Sequence, residues 1–199
     1  MSELWSPAYH HCESPLQNFI GLQDTDKMKI TISELPAQAY SKQYADSGAF
    51  TDCYHVDIPR DLSLADYLQA FYTTPIFRIE RAMLSILTSH SADDQTAAQL
   101  ATGQTDRFSI WRVEQRTEDQ VLLCDITQRT RSWLMVAPAE TNPTTMTRLY
   151  FGSVVTPTKR SNNGQSSFGP VFHMLSGFHR LYSRALLASA ARKLSKQNP

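Results

Sequence analysis

The chain changes its hydrophobic period twice, and that constrains its fold more than any other feature. From Arg107 to Thr156 apolar residues recur every second position. From Phe168 to Leu194, FGPVFHMLSGFHRLYSRALLASAARKL, they recur at helical spacing without a break. The alternating part reads as four strands, RFSIWRVEQ, QVLLCDIT, RTRSWLMVAPA and TMTRLYFGSVVT. Their links are short: RTED at 116–119, TQR at 127–129 and ETNPT at 140–144. Links of that length make antiparallel hairpins, because parallel neighbours need a crossover of a dozen or more residues. The frame is therefore an antiparallel meander followed by one long apolar helix, which must bury its face against something.

Upstream, MKITISELP opens with Ile30 and Ile32 alternating as in a short strand. AFTDCYHVDIP supplies a second strand through Phe50, Tyr54, Val56 and Ile58, stopped by Pro59. Ser63 is a helix N-cap with Asp66 three residues on, and Leu64, Tyr67, Leu68 and Phe71 form the apolar stripe behind it. Thr74-Pro75 starts a second helix, since proline suits the first helical position. Ser91 and Asp94 begin a third, which Gly103 ends. Residues 157–170 form a polar Ser/Asn/Gly loop. Residues 1–27 are polar and aperiodic: an appended arm, or a wrap packing Trp5, Tyr9, Phe19 and Ile20 on the domain. The expected division is an N-terminal extension, 1–27, and one α+β domain, 28–199.

Strand parity divides the meander into two faces. One holds Ser109, Trp111, Val113; Leu122, Cys124, Ile126; Ser132, Leu134, Val136; and Thr147, Leu149, Phe151, Ser153, Val155. It carries no charge. The other holds every charge of these strands, among them Arg112, Glu114, Asp125, Arg131 and Arg148. Burying an unpaired charge is costly, so the uncharged face is expected inward. Its hydroxyls, Ser109, Ser132, Thr147 and Ser153, suit either a pocket wall or bonds to backbone. The charged face also carries Ile110, Leu123, Trp133, Met135 and Tyr150. The 1–27 arm or a second copy in a homodimer would cover it. Asp125 and Arg131 flank one turn and are placed to pair across it. In the last helix the expected buried stripe is Val171, Leu175, Phe178, Tyr182, Ala185 and Ser189, with small residues Ala188, Ala190 and Ala191 allowing close approach.

Composition excludes several function classes. In 199 residues, Lys plus Arg equals Asp plus Glu, which argues against a nucleic-acid partner. Three cysteines, Cys12, Cys53 and Cys124, are too scattered for a disulfide framework or a zinc motif, and reduced thiols point to a cytoplasmic protein. There is no transmembrane-length apolar run, and MSELWSPAYHHCESP lacks the basic and apolar parts of a secretion signal. Seven glycines include no phosphate-cradling loop, and no G-x-S-x-G elbow occurs. His10, His11 and Cys12 lack further ligands at suitable spacing, so no metal is expected. His173 and His179, six apart, point in different directions. Tyr54 faces away from His55 and Asp57, and Cys124 has no activating base nearby in sequence. No catalytic residue is singled out.

The closing SGFHRLYSRALLASAARKL and the preceding TRLYFGSVV resemble a poorly characterised bacterial branch of the START-like superfamily, also called SRPBCC. The resemblance covers Met28 to Leu194 and includes the order of elements. It implies a helix-grip fold, a curved antiparallel sheet wrapped around the C-terminal helix. It also implies a cavity between the two for an apolar or amphipathic small molecule, with no cofactor. Wall residues would be Trp111, Cys124, Leu134, Val136 and Phe151, with Phe172, Leu175 and Phe178 from the helix. The superfamily includes enzymes of the polyketide cyclase or hydratase type. That alternative needs His179, Tyr150 or Arg148 inside the cavity. A third reading is an interaction protein without a ligand.

Overall fold

The computed structural model describes residues 28–88, 92–139, 146–157, 159–160, 166–167 and 170–197, with side chains except at 80, 83–88, 159–160, 166–167 and 170–179. Residues 1–27, with the expected arm and the His10, His11 and Cys12 cluster, lie outside them. In chain order the elements are β1 (Thr31–Ile32), α1 (Lys42–Asp46), β2 (Phe50–Ile58), α2 (Leu64–Tyr72), α3 (Pro75–Thr88) and α4 (Asp94–Ala101). Then come β3 (Arg107–Phe108), β4 (Trp111–Arg116), β5 (Gln120–Asp125), β6 (Thr130–Pro138), β7 (Thr147–Val155), β8 (Lys159–Arg160), β9 (Ser166–Ser167) and α5 (Pro170–Lys196). The protein is α+β. Seven of these strands form one antiparallel sheet in the order β1-β2-β7-β6-β5-β4-β3, and β8 and β9 pair separately inside the expected loop.

The meander is present with one change. The expected strand 107–115 is a hairpin, with Phe108 opposite Trp111 and Ser109 turned to φ 54°. A non-glycine residue in that region marks a tight turn. On the far side, β2 lies along β7 for nine residues, from Phe50 opposite Val155 to Ile58 opposite Thr147. The three helices α2, α3 and α4 fill the excursion between β2 and β3. Ser63 and Asp66 form the expected capping box; Asp93, one residue before Asp94, is the cap of α4.

The inner face of the sheet packs on the helices. Tyr54, Val56, Ile58, Leu134, Leu149 and Phe151 meet Leu64, Tyr67, Leu68 and Phe71 of α2 and the C-terminal half of α5. Parity assigns β4, β6 and β7 correctly and β5 wrongly. Val121 and Leu123 face inward, opposite Leu134 and Ser132, while Leu122 and Cys124 face outward beside Trp133 and Arg131. The reason is the position of Asp125 at the end of its strand. Its carboxylate accepts from Arg129 N–H (3.0 Å), the Thr127 hydroxyl (2.8 Å) and the Thr130 hydroxyl (2.9 Å), capping the turn. A charge satisfied by a turn says nothing about which face is buried. The expected Asp125–Arg131 pair is absent among these contacts; Arg131 pairs with Glu114 at 3.2 Å.

The buried stripe of α5 runs through Ser183, Leu186, Leu187, Ala190, Ala191 and Leu194, about one residue round from the expected stripe; Leu181 is exposed. Alanines at 190 and 191 let the backbone approach the core. Arg60 donates through Nη1 to Leu194 O (2.7 Å) and Gln197 O (2.6 Å), and Lys193 Nζ donates to Thr73 O (3.3 Å). Cations on terminal carbonyls stabilise a helix end, so the C-terminal half of α5 is tied to the loop after β2 and to the end of α2.

Part of the outer face is covered by the chain itself. Leu35, Ala39, Tyr40 and Tyr44, on α1 and the segment before it, pack over Cys53, Leu122, Trp133, Met135 and Tyr150. Trp133 is wholly buried. Residues 35–44 thus enclose Trp133 on the face where the arm or a homodimer partner is expected. Among the described residues no helix is long and apolar enough to cross a membrane.

A cavity between the sheet and the C-terminal helix

A cavity of about 230 Å³ lies between the inner face and α5. Its floor comes from Thr130 and Ser132 of β6, Phe151, Ser153 and Val155 of β7, and Trp111 of β4. Its roof comes from Tyr182, Ser183 and Leu186 of α5, with Phe71 and Phe77 closing one side. The aromatic side is closely packed. Phe71 touches Phe77 and Phe151 at ring-centroid separations of 5.8 and 5.0 Å, within the range of favourable ring pairs.

Two residues of this lining each carry a buried polar atom without a partner. Trp111 Nε1 and Ser183 Oγ are both buried and make no hydrogen bond among the described residues. Ser183 is 1% exposed, and it does not bond back to its own helix as a mid-helix serine commonly does. Buried donors are nearly always satisfied in proteins, so each is a cost to the fold.

The residues implied by the resemblance divide into four groups. Trp111 and Phe151 line the cavity. Leu134 and Val136 share the inner face but belong to the packed core beyond the cavity's lining. Cys124 is on the outer face, a consequence of the β5 parity. The side chains of Phe172, Leu175 and Phe178 lie outside those described, as do those of His173 and His179, although their backbone is helical. Of the four inward hydroxyls, Ser132 and Ser153 reach the cavity. Thr147 bonds to backbone instead, donating to Arg60 O (2.7 Å) and accepting from Leu62 N–H (3.0 Å). Ser109 sits in the β3–β4 turn. Ser183 was missed because its stripe was misplaced by one position. The signal was present: a lone serine in register with Leu186, Leu187, Ala190 and Leu194.

Charge is nearly excluded from this wall. No carboxylate lines it among the described residues. Arg131 contributes to it but directs its guanidinium the other way, to Glu114 and to Gln128 O at 2.7 Å, stacked 4.4 Å over the Tyr44 ring. Arg148 and Tyr150 are on the outer face, where Arg148 holds Asp57. One acid does stand inward. Asp52 lies opposite Ser153 and accepts its N–H at 2.8 Å. Beside it, burial and Asp52 push the Tyr54 phenol up to about 12, so it stays protonated.

Larger hollows lie elsewhere. One of about 680 Å³ runs along β4 and β5 between Tyr44, Arg112, Cys124 and Ile126. Its central polar groups are already engaged: Tyr44 donates to Glu114, which also holds Arg131. Burial pushes the Cys124 thiol up to about 11, which removes it as a nucleophile near neutral pH. A second, about 460 Å³, follows the β1–β2 edge past Asp52 and Cys53. No group of three or more His, Cys, Asp or Glu among the described residues could hold a metal ion. Volume alone would favour the 680 Å³ hollow, which Trp111 lines as well; the aromatic enclosure between sheet and α5 favours the smaller one. No family model, curated protein or solved structure matches this chain.

Proposed function

We propose that the protein binds an apolar or amphipathic small molecule between its sheet and its C-terminal helix, as a helix-grip domain of START-like kind. The observation that carries this is the aromatic-walled cavity between the sheet and α5, with Thr130, Ser132 and Ser153 in its otherwise mostly apolar lining. Few, convergent polar groups in an apolar hollow are the usual make-up of a small-molecule site. Strand order and the anchored α5 agree with the helix-grip arrangement. At about 230 Å³ the space falls below the ~300 Å³ lower end of drug-sized pockets, so the ligand is small.

Native mass spectrometry of gently purified protein tests this reading. A bound mass released by organic solvent is the expected result. A clean unliganded mass, with no uptake of a small aromatic hydrocarbon such as indane, would contradict it.

A further inference from the structure

We propose a second site, in the hollow of about 680 Å³ along β4 and β5, for a small phosphate monoester held between Arg107 and Arg112. One cross-strand row carries the argument. Arg107 stands opposite Arg112, Arg112 opposite Cys124, and Cys124 opposite Arg131. Facing residues of an antiparallel pair share one side of the sheet, with Cβ atoms about 4.5–5.5 Å apart. Phe108, next to Arg107 in its strand, is buried in the inner core, so the row looks outward. Three cations thus line up about one thiol, which burial keeps protonated. Like charges set directly opposite destabilise a sheet, and Arg107 with Arg112 is such a pair.

The row is unevenly balanced. Arg131 holds Glu114 at 3.2 Å. Asp125, the other acid of the lining, gives its oxygens to the turn after β5. Asp106, beside Arg107 in sequence, is not part of the lining. The guanidinium groups of Arg107 and Arg112 make no ion pair or hydrogen bond among the described residues, and both residues are exposed. A phosphate monoester carries close to two negative charges near neutral pH and three strong acceptor oxygens, which matches two guanidinium forks. A carboxylate brings one charge. A long polyanion is set aside by the zero net charge of the chain. Ile110 and Ile126 lie in the same lining, and Ile126 is 57% exposed, so the carbon part of the ligand has apolar surface to cover. The volume falls within the ~300–1,000 Å³ of small-molecule sites.

Calorimetric titration of the full chain at about pH 8, where the monoester is a dianion, tests the proposal with phenyl phosphate, inorganic phosphate, benzoate and phenol. Phenyl phosphate should bind about tenfold tighter than inorganic phosphate or benzoate, with phenol weaker still. Arg107→Gln and Arg112→Gln should each weaken phenyl phosphate about tenfold. Lys29→Gln, beside β1 at the opposite edge of the sheet, should leave it unchanged. Both arginines are exposed, and their removal relieves a like-charge contact, so circular dichroism melts of the two variants should show no loss of stability. Absence of phenyl phosphate binding, equal binding of phenol, or unaltered affinity in both arginine variants would overturn the site. Equal binding of inorganic phosphate or of benzoate would overturn the monoester assignment. None of these outcomes bears on the cavity beneath α5.

Discussion

The indole N–H of Trp133 donates to Gln120 Oε1 at 2.9 Å, and the same oxygen accepts from the backbone N–H of Tyr40 at 3.1 Å. Gln120 Nε2 completes the set by donating to Gln38 O, also at 3.1 Å. One buried amide thus joins the sheet's outer face to the segment that covers it. Gln120→Leu keeps the bulk and strands all three partners. Chemical denaturation should show a loss of about 2–4 kcal/mol, since each buried group left unsatisfied costs ~1–3 kcal/mol. An unchanged midpoint would mean that the cover does not depend on this bond.

Gly152, opposite Trp133 and Cys53, leaves no room for a side chain. A Cβ there would stand 2.6 Å from Asp52 O and 3.1 Å from Trp133 Cε3. The nearer atom is backbone of the paired strand and cannot swing aside. Gly152→Ala should therefore destabilise by about 1–3 kcal/mol, the usual cost of overpacking, despite alanine's lower chain entropy when unfolded. A neutral or stabilising result would show that β2 and β7 separate more readily than this register implies.

Acid should weaken the protein in two stages. Burial, then the Arg148 cation, hold His55 below its ordinary 6.5. The unfolded chain takes up that proton first, so stability is lost as pH falls below 6.5. The Arg148 hydrogen bonds, at 2.7 and 2.8 Å, hold Asp57 below 3.8. Its contribution is complete above 3.8 and is lost as pH falls through its lower folded value. In urea melts across pH, His55→Gln should flatten the first stage, while Asp57→Asn should remove the second and, by leaving Arg148 unopposed beside His55, deepen the first. A variant that leaves its own stage unaltered would refute the assignment.

Ser183→Ala should raise the stability of the unliganded protein by about 1 kcal/mol, because it removes a buried hydroxyl with no partner. Thermal melts without ligand read this directly. A fall in melting temperature would mean that the hydroxyl is satisfied.

The sequence revealed most where residue types were unambiguous. Ser63 with Asp66 located a helix start, Pro75 another, and the short polar links fixed the hairpins. It failed where both parities were apolar. Val121, Leu122 and Leu123 are all wholly buried because β5 has helices on one side and the Tyr40–Tyr44 segment on the other. Alternation then carries no information, and the nearest charge, Asp125, was serving a turn. Cys124 was placed on the wrong side for that reason. Segment 33–47 was unreadable as a cover, since α1 has only five residues and its packing residues, Leu35, Ala39, Tyr40 and Tyr44, follow no single period. At the site, Trp111 and Phe151 were legible as inward strand residues. Ser183 and Phe77 depend on helix rotation, which a wide apolar face does not fix.

Methyl-labelled NMR of the full chain during addition of indane tests the central claim most directly. The account predicts saturable shifts at Val155 and Leu186, on opposite walls of the cavity, with Leu122 on the outer face unmoved. Shifts confined to Leu122 and its neighbours, or none at saturating ligand, would contradict it.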